Sequence, residues 1–363
     1  MFVLCSRAFA AWQRYDSRRI LVGVHAAPQL FEEGSLDREY SKVKRMLVTG
    51  ASGFVGGAVA AQLSRLGAVS LVLAGRKPVP ALVPSSVFVQ VAEIDAATDW
   101  AAALADVEVV IHCAARVHVM SDTASDPLAE FRKVNVAGTL SLARQAVAAG
   151  AKRFIFISSI KVNGERTTPG QPFTADDLPA PVDAYGISKM EAEQGLRALA
   201  ADSGLEVVII RPVLVYGPGV KANFRSMMGW LNRGIPLPLG GLGNRRSLVA
   251  LDNLVDLILT CIVHPAAANQ TFLVSDGEDL STTLLLLRMA QALGRSARLL
   301  AVPVFLLEAA AAMLGKRAVA QRLCDSLQVD ISKTRGCLGW VPPVSVDVAL
   351  AKTAEDFQTH LQR

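Results

Sequence analysis

Cysteine and histidine are scarce in this chain of 363 residues, which has five of each. Neither a Cys-x-x-Cys pair nor a histidine cluster occurs, and the cysteines lie far apart, at Cys5, Cys113, Cys261, Cys324 and Cys337. Zinc sites and disulfide frameworks need closer spacings, so the sequence predicts no metal site and no disulfide framework. Free thiols in a reducing compartment are the default for such cysteines, and we therefore expect a cytoplasmic protein.

Charge and long apolar runs are also limited. Charged residues make up 19% of the chain and the net charge is +5, with no basic run interleaved with aromatics, so no nucleic-acid partner is expected. The apolar stretch 299-LLAVPVFLLEAAAAML-314 contains Pro303 and Glu308 and is too short to cross a bilayer. We expect it to be a helix of the ordinary core, with a helix that lies on a hydrophobic surface as the alternative.

The first 44 residues differ from the rest of the chain. They lack an uninterrupted apolar segment with a cleavage site, so a secretory signal is not expected. Four arginines between positions 7 and 19 are typical of a transit peptide, but Asp16 argues against one. We expect residues 1–44 to be a disordered leader or the product of a start codon assigned too far upstream. A chain that begins at Met46 is then expected to match the full chain in stability and activity.

Hydrophobic residues are abundant, at 52%, and they alternate between strand-like and helical patterns. The predicted strands are 46–49, 69–74, 87–91, 108–112, 153–158 and 206–211, and the predicted helices are 54–66, 97–105, 128–149 and 186–203. Strands that are apolar on both faces are covered by helices on both sides. The alternation therefore predicts an α/β fold with a doubly wound, parallel, Rossmann-type sheet.

A change of pattern after residue 216 indicates a second unit. Proline and glycine crowd 217–219 and 233–243, and helical patterns dominate beyond them. We place a dinucleotide-binding domain at 45–216. A smaller C-terminal substrate-binding lobe occupies 217–363, and some of its segments return to the first domain.

A glycine loop, 49-TGASGFVGG-57, directly follows the first predicted strand and opens a helix. Glycines at this spacing allow a tight turn, a close approach of the backbone to a pyrophosphate, and close packing of the helix. Backbone amides at the helix N-terminus then face the anion. The segment predicts a dinucleotide site, and its cofactor-binding residues are Gly50, Ser52, Gly53, Phe54, Val55 and Gly56.

The ends of the next two predicted strands bear on the choice of cofactor. NAD-selective sites usually place an acidic residue after the second strand, but this strand ends 73-LAGRKP-78. Arg76 and Lys77 offer positive charge to a 2′-phosphate, which favours NADP(H), with NAD(H) as the alternative. After the third strand, 92-AEID-95 predicts an adenine contact through Glu93 or Asp95, with Ile94 beside them.

Six motifs in order give the chain a family resemblance: TGASGFVG, 111-IHCAA-115, 134-VNVAGT-139, 157-ISSIKVNG-164, 185-YGISK-189 and 211-RPVLVYGPG-219. Over roughly 46–345 the chain resembles the extended short-chain dehydrogenase/reductases that act as NAD(P)-dependent nucleotide-sugar epimerases, reductases and dehydratases. Within that family it is similar to the UDP-sugar 4-keto reductases and 4-epimerases of bacterial surface-polysaccharide synthesis. The resemblance implies a UDP-linked sugar substrate and a homodimer formed through the helices near 128–149 and 186–203.

The resemblance places the catalytic group at Ser159, Tyr185 and Lys189. Residues four apart share a helix face, so Lys189 can lie one turn behind Tyr185. Tyr40 and Lys44 have the same spacing but precede the glycine loop. Tyrosine is a poor base at neutral pH unless a nearby cation favours its phenolate. The family also implies that Lys189 binds the nicotinamide ribose and that Ser159 binds the sugar oxygen that becomes a carbonyl.

The resemblance implies further site residues. For the cofactor they are Ala114, Ala115, Asn135 and Pro212, and for the substrate diphosphate they are Asn223 and Arg246. Arginine suits a diphosphate through its fixed charge and fork of donors, although Arg245 is a competing register. Asn135 is expected to be structural or a proton relay, with a packing role as the alternative. His112 and His118 are expected to be structural.

Two reactions fit these residues. We expect reduction of C4 in a UDP-4-keto-6-deoxy-N-acetylhexosamine with Tyr185 as general acid, and a UDP-sugar 4-epimerase is the alternative. Asn163 stands where the best-known 4-epimerases have tyrosine. Ile160 and Lys161 replace the acid pair of the dehydratases, which disfavours a dehydratase. A non-catalytic dinucleotide sensor is disfavoured because the catalytic group is intact.

Overall fold

The computed structural model describes residues 43–67, 70–77, 86–117, 126–168, 170–315 and 317–361. The predictions for residues 1–42, which include Tyr40, and for His118 lie outside these ranges. Where the description begins, the backbone amide of Lys44 donates a hydrogen bond of 2.8 Å to the Glu108 carboxylate. Lys44 therefore contacts the body of the protein directly before the first strand.

A seven-stranded sheet in the order β3-β2-β1-β4-β5-β6-β9 forms the centre of the fold, and every strand pair in it is parallel. Its strands are β1 (Arg45–Thr49), β2 (Ser70–Gly75), β3 (Ser86–Gln90), β4 (Val109–His112), β5 (Arg153–Ile157), β6 (Glu206–Pro212) and β9 (Thr271–Val274). The chain reverses its direction of winding between β1 and β4, and ligands bind at such switch points in doubly wound sheets. The predicted Rossmann-type fold is confirmed.

Helices cover both faces of this sheet because alternate strand residues face opposite sides. Met46 and Val48 pack in one core with α1 (Phe54–Leu66) and α7 (Leu251–Val263). Leu47 packs in a second core on the other face. The helices of that face are α2 (Ala101–Leu104), α4 (Thr139–Ala148) and α5 (Ala184–Ser203).

The helix predicted over 128–149 has a more varied form. It begins as α3 (Pro127–Phe131), widens into a π-helix over Arg132–Gly138, and continues as α4. A Cβ at Gly138 would lie 2.6 Å from Ile94, so the wider turn brings the helix backbone close to the loop after β3. The predicted helix 97–105 is also shorter than expected, since only α2 is helical there.

The chain beyond residue 216 builds a separate hydrophobic core around Tyr216, Leu248 and Leu286. A three-stranded sheet, β10-β8-β7, contains β7 (Leu214–Tyr216), β8 (Arg246–Ala250) and β10 (Asp279–Leu280). The helices there are α6 (Ala222–Asn232), α8 (Thr282–Ala292), α9 (Val304–Met313), α10 (Arg317–Cys324), α11 (Ser332–Leu338) and α12 (Val346–Thr359). Strand β9 was not among the predicted strands, and it returns to the edge of the large sheet beside β6.

The prediction that 299–314 belongs to the ordinary core is wrong. Helix α9 has no buried residue, and only Leu307 among its large side chains packs against the neighbouring core. The helix is apolar on every side, and it contacts the rest of the protein along one face only. Its other apolar faces therefore stay exposed. Among the described residues, no helix is both long and apolar enough to cross a membrane.

Candidate active site

The glycine loop between β1 and α1 forms a close-packed turn. Gly50 has φ 68°, a left-handed conformation that favours glycine, and a Cβ there would lie 2.8 Å from the backbone nitrogen of Ala114. A Cβ at Gly56 would lie only 2.3 Å from the Gly50 oxygen. The first turn of α1 contains no acidic side chain, so its backbone amides face the turn without a competing anion. These residues fit the pyrophosphate of a dinucleotide.

Gly56→Ala tests this fit. The added methyl group must displace the backbone at Gly50, so we expect the dissociation constant for the dinucleotide to rise at least tenfold, measured by calorimetry. Gly229→Ala in α6 is the matched control, because a Cβ there meets nothing within 4 Å. The control should leave binding unchanged and gain about 1 kcal/mol of stability from helix propensity. Unchanged binding by Gly56→Ala would contradict the predicted site.

Positive charge lies beside this loop at the end of β2. Arg76 and Lys77 are exposed. The residue before them, Gly75, lies close to Ser52, since a Cβ added at Gly75 would lie 3.7 Å from the serine oxygen.

The acidic residues after β3 have partners within the protein. The Glu93 carboxylate lies 3.2 Å from Lys133 Nζ. Asp95 accepts a hydrogen bond from the Ala97 amide at 3.0 Å and so belongs to a local turn.

Asn135, in the π-helix, connects the loop after β4 with helix α5. Its side-chain oxygen accepts a hydrogen bond from the Arg116 amide at 2.8 Å, and its amide group donates to the Arg116 carbonyl and to Ser188 Oγ, both at 3.0 Å. The side chain is buried. These bonds fix the path of the chain directly after Ala114 and Ala115. They fit the structural role predicted for Asn135, and its predicted role at the cofactor stays a prediction.

Ser159 and Tyr185 meet at the carboxyl end of the sheet. Ser159 follows β5, and its hydroxyl accepts the Lys161 amide at 3.2 Å. The Ser159 side chain also lowers the pKa of Tyr185, in opposition to burial. Tyr185 lies in the first turn of α5, whose N-cap Asp183 accepts the Gly186 amide at 2.7 Å. The cap fixes the start of the helix and therefore the height of the tyrosine above the sheet.

Lys189 is buried one turn further along α5. Its Nζ donates a hydrogen bond of 2.8 Å to the Ile157 carbonyl, the last residue of β5, and lies 4.2 Å from the centre of the Phe156 ring. The lysine therefore reaches the same strand end as Ser159. Ser159, Tyr185 and Lys189, which are separated in sequence, thus lie together at the carboxyl end of β5.

Burial dominates the electrostatics of this cluster. It raises the pKa of Tyr185 to about 12, against a lowering by the hydrogen bond from Ser159 and a further raising by the Asp183 charge. Burial also lowers the pKa of Lys189 to about 7, and the carboxylate of Glu193 opposes that change. In the protein alone, Tyr185 is therefore a protonated acid at neutral pH. A cation close to the phenol is needed before it can act as a base.

A buried charge network behind Ser159 was not found from the sequence. Glu193 binds Arg211 through two hydrogen bonds, Nε–Oε1 at 2.9 Å and Nη2–Oε2 at 2.6 Å, and both side chains are at most 2% exposed. Glu193 also accepts from Ser158 Oγ at 2.6 Å, and Arg211 donates to Asn163 Oδ1 at 2.9 Å. Two features of the sequence could have indicated it: Arg211 lies inside an apolar strand, 206–212, and Glu193 follows Lys189 by four residues.

His112 lies in a second polar chain under the glycine loop. Its Nδ1 is 2.7 Å from Thr49 Oγ1, and its Nε2 is 3.0 Å from Thr139 Oγ1. Burial lowers the pKa of His112 to about 3, so it is neutral. Both ring nitrogens are occupied by threonines, and this arrangement is structural. Among the residues that the structure describes, no cluster of histidine, cysteine and acidic side chains could hold a metal ion.

The two predicted substrate residues lie apart in sequence within the C-terminal region. Asn223 is exposed in the first turn of α6, and Arg246 is half-buried at the start of β8. The Arg246 Nη1 donates to the carbonyl groups of Arg322 at 2.8 Å and Asp325 at 3.1 Å. These carbonyls orient the guanidinium. Pro212, the last predicted cofactor residue, is buried at the end of β6.

Comparisons with known proteins agree with this architecture. The model of the NAD dependent epimerase/dehydratase family matches residues 46–275. A UDP-glucose 4-epimerase of Vibrio cholerae is 50% identical over 315 residues, which are 86% of this chain and 95% of that protein.

Two solved structures share the fold. A UDP-glucuronic acid 4-epimerase from Bacillus cereus in complex with NAD has a TM-score of 0.70 at 21% identity, covering 87% of this chain and 96% of its own. RMD from Pseudomonas aeruginosa complexed with NADPH has a TM-score of 0.65 at 21% identity, covering 87% of this chain and 100% of its own.

The chain therefore belongs to the NAD dependent epimerase/dehydratase family, the extended short-chain dehydrogenase/reductases. It is an NAD(P)-dependent enzyme of the nucleotide-sugar epimerase and reductase group. The resemblance drawn from the six sequence motifs is confirmed.

Proposed function

We propose that the enzyme catalyses hydride transfer at C4 of a UDP-linked sugar, and that Ser159, Tyr185 and Lys189 are its catalytic residues. The observation that carries this proposal is the hydrogen bond of 2.8 Å from Lys189 Nζ to the Ile157 carbonyl, which holds the buried lysine at the strand end that Ser159 follows, one helical turn from Tyr185. A serine and a tyrosine at one strand end can take a proton from a sugar hydroxyl or return one to a ketone. The adjacent glycine loop and its helix supply the cofactor site.

In the oxidising direction, the Tyr185 phenolate takes the proton of the C4 hydroxyl, and Ser159 holds the same oxygen as it becomes a carbonyl. The nicotinamide, when bound, accepts or donates the hydride of C4. Lys189 stabilises the phenolate by its charge, which offsets the burial that holds the pKa of Tyr185 near 12. In the reducing direction, Tyr185 returns its proton to the C4 oxygen. Asn223 and Arg246 are proposed to bind the diphosphate.

For the overall reaction we propose UDP-sugar 4-epimerisation, in which oxidation and reduction of C4 follow each other on opposite faces of the ring. The support is the identity of 50% to the Vibrio cholerae protein named as a UDP-glucose 4-epimerase. This gives preference to the alternative of the sequence analysis. Asn163 loses its value as evidence against an epimerase, because its side chain bonds Arg211 and the Thr174 carbonyl within the protein.

Net reduction of a UDP-4-keto-6-deoxy-N-acetylhexosamine is the second candidate. Arg76 and Lys77 favour it, because they offer two positive charges and no carboxylate at the end of β2. A reductase must draw on NADPH in each cycle, and a 2′-phosphate suits these charges. NADP(H) is proposed as the cofactor of this reaction and NAD(H) as that of the epimerase.

Native mass spectrometry and two assays decide between the candidates. An epimerase should purify with bound NAD and interconvert UDP-glucose and UDP-galactose, or their N-acetylated forms, without added cofactor. A reductase should oxidise one NADPH for each 4-keto sugar and leave those pairs unchanged. Absence of both activities, with the dinucleotide bound, would contradict the proposed chemistry at C4.

Arg76→Ala separates the two cofactors. If Arg76 binds the 2′-phosphate, its loss should raise the KM for NADPH about tenfold to a hundredfold, as expected for a charge-assisted hydrogen bond, and leave the KM for NADH unchanged. Arg65→Ala is the matched control, since Arg65 is exposed on α1 and hydrogen-bonds only Gln62 among the partners described. Equal changes in the KM for NADPH and the KM for NADH would show that Arg76 does not bind the 2′-phosphate.

The domain division at residues 216 and 217 and a homodimer through α3, α4 and α5 remain proposals. Light scattering of the purified enzyme tests the dimer, with charge reversals on the exposed faces of these helices as the variants.

A further inference from the structure

One short segment carries a third of the exposed large hydrophobic side chains in the described part of the chain. Of the eighteen large hydrophobic residues that are exposed in the described part of the chain, six lie within 300–314. They are Leu300, Val304, Phe305, Leu306, Met313 and Leu314, and Phe305 and Met313 are exposed by 66% and 83%. We call these six residues the α9 surface. Scattered exposed hydrophobic residues are ordinary, but a contiguous group of this kind marks an interaction site.

The surroundings of the α9 surface are basic. From Arg295 to the end of α10 the sequence has five basic residues and one acidic residue, Glu308. Arg295 and Arg298 before the helix are exposed, as are Arg317 and Arg322 after it. The five basic residues of this segment are Arg295, Arg298, Lys316, Arg317 and Arg322. Burial raises the pKa of the Cys324 thiol of α10, and the charges of Glu308 and Asp325 raise it further.

The segment is attached firmly to the protein at its start. The Leu300 amide donates a hydrogen bond of 2.8 Å to the Leu237 carbonyl, and the Leu237 amide donates to the Arg298 carbonyl at 2.9 Å. Gly240 donates to the Leu300 carbonyl at 2.9 Å. Helix α9 then packs against α10. The helix is therefore presented outward from an anchored strand-like segment.

We propose that the α9 surface docks the enzyme on an anionic membrane surface, with α9 lying in the plane of the interface. An apolar helix flanked by arginines matches the two attractions of such an interface, burial of apolar side chains and contact with anionic headgroups. A helix of ten residues is about 15 Å long, which is half of what a membrane span requires. The helix therefore lies on the bilayer without crossing it.

A second copy of the chain fits this surface less well. Stable protein interfaces bury about 800 Å² on each partner, and one face of a helix about 15 Å long supplies much less. A symmetric pair would also bring the basic flanks of two copies together, where like charges repel. An anionic surface neutralises the same charges. The preference for a membrane follows from this charge complementarity.

Docking in this way would place the substrate lobe at the bilayer. The Arg246 guanidinium is held by the carbonyl of Arg322, a residue of α10, which packs on α9. If Arg246 binds the sugar diphosphate, as proposed above, the site lies directly behind the docked segment. The sugar could then pass between this enzyme and membrane-bound enzymes that supply or consume it.

Vesicle flotation of the full-length enzyme without substrate tests the proposal. The enzyme should float with vesicles of phosphatidylcholine and phosphatidylglycerol at low salt, and much less with phosphatidylcholine alone. Phe305→Ser combined with Met313→Ser should lower the partition coefficient at least tenfold. Arg298→Gln and Arg317→Gln should each lower it about fivefold. Turnover of a soluble nucleotide sugar should stay unchanged in all of these variants.

Val348→Ser is the matched control, because Val348 is 50% exposed on α12 and lies outside the basic segment 295–324 in sequence. It should float like the unchanged enzyme. Failure of the unchanged enzyme to float with anionic vesicles would overturn the proposal, as would equal flotation of the Phe305 and Met313 double variant. A mass in light scattering that falls to that of a monomer in the double variant, with no vesicle binding by either protein, would assign the surface to a second copy and also overturn it.

Discussion

Tyr185→Phe should lower kcat by about 10²–10⁴-fold while the protein folds normally and binds its dinucleotide with unchanged affinity. The substitution removes only the hydroxyl of Tyr185, whose pKa is raised by burial and lowered by the Ser159 side chain. The ring keeps its edge contact with Phe131, 6.0 Å between ring centres, so the helix start is not disturbed. Without the hydroxyl, neither the transfer of a proton from the C4 oxygen nor its return has a carrier. Calorimetry of dinucleotide binding and single-turnover rates of hydride transfer separate the two effects.

Tyr216→Phe provides the contrast. The Tyr216 hydroxyl donates to Asp276 at 2.8 Å, within the hydrophobic core that Tyr216 shares with Leu248 and Leu286, and burial raises the pKa of that aspartate. Loss of this bond should cost about 1–3 kcal/mol of stability and leave the chemical step unchanged. Tyr185→Phe should therefore lower kcat, and Tyr216→Phe should lower the free energy of unfolding. A Tyr185→Phe enzyme with nearly unchanged turnover would remove Tyr185 from the mechanism.

The sequence predicted the large sheet well because its strands carry their own signals. Runs such as 206-EVVIIR-211 are apolar on both faces, and that pattern is typical of a strand covered on both sides. The glycine loop was equally readable, since Gly50 and Gly56 occupy positions where a Cβ would meet backbone atoms. Local demands of this kind are visible in one segment of chain at a time.

Features that depend on distant partners were harder to predict. Strand β9 has only four residues and is defined by its pairing with β6, which is far away in sequence. The segment 299–314 was predicted to be core because it is apolar, but burial requires a partner surface. Among its large side chains, only Leu299 and Leu307 pack against the neighbouring core in the part of the chain that the structure describes. The buried pair of Glu193 and Arg211 joins helix α5 to strand β6 and has no local signature beyond a charge in an apolar strand.

That buried pair should be highly sensitive to substitution, because both of its side chains are almost fully buried. Removing one partner of a buried ion pair leaves the other charge without compensation and typically costs about 3–5 kcal/mol. Arg211→Met should fall near the lower end, because Arg197 still donates to Glu193 at 3.0 Å. Glu193→Gln should cost as much or more, since Arg211 loses both charge-assisted bonds. Urea denaturation measures both changes as shifts of the midpoint at constant slope.

The matched control lies on the same helix. Arg132 binds Glu191, two residues before Glu193, but this pair is solvent-exposed, and screened surface pairs contribute little, so Arg132→Met should leave the midpoint unchanged. The double variant Glu193→Leu with Arg211→Met should recover much of the lost stability, because an apolar pair leaves no buried charge. Its turnover should stay low, however, since Ser158 and Asn163 lose the partners that hold the chain on either side of Ser159. Recovery of stability together with full turnover would show that the network supports the fold alone. A loss of less than about 1 kcal/mol in both single variants would contradict the stabilising role of the buried pair.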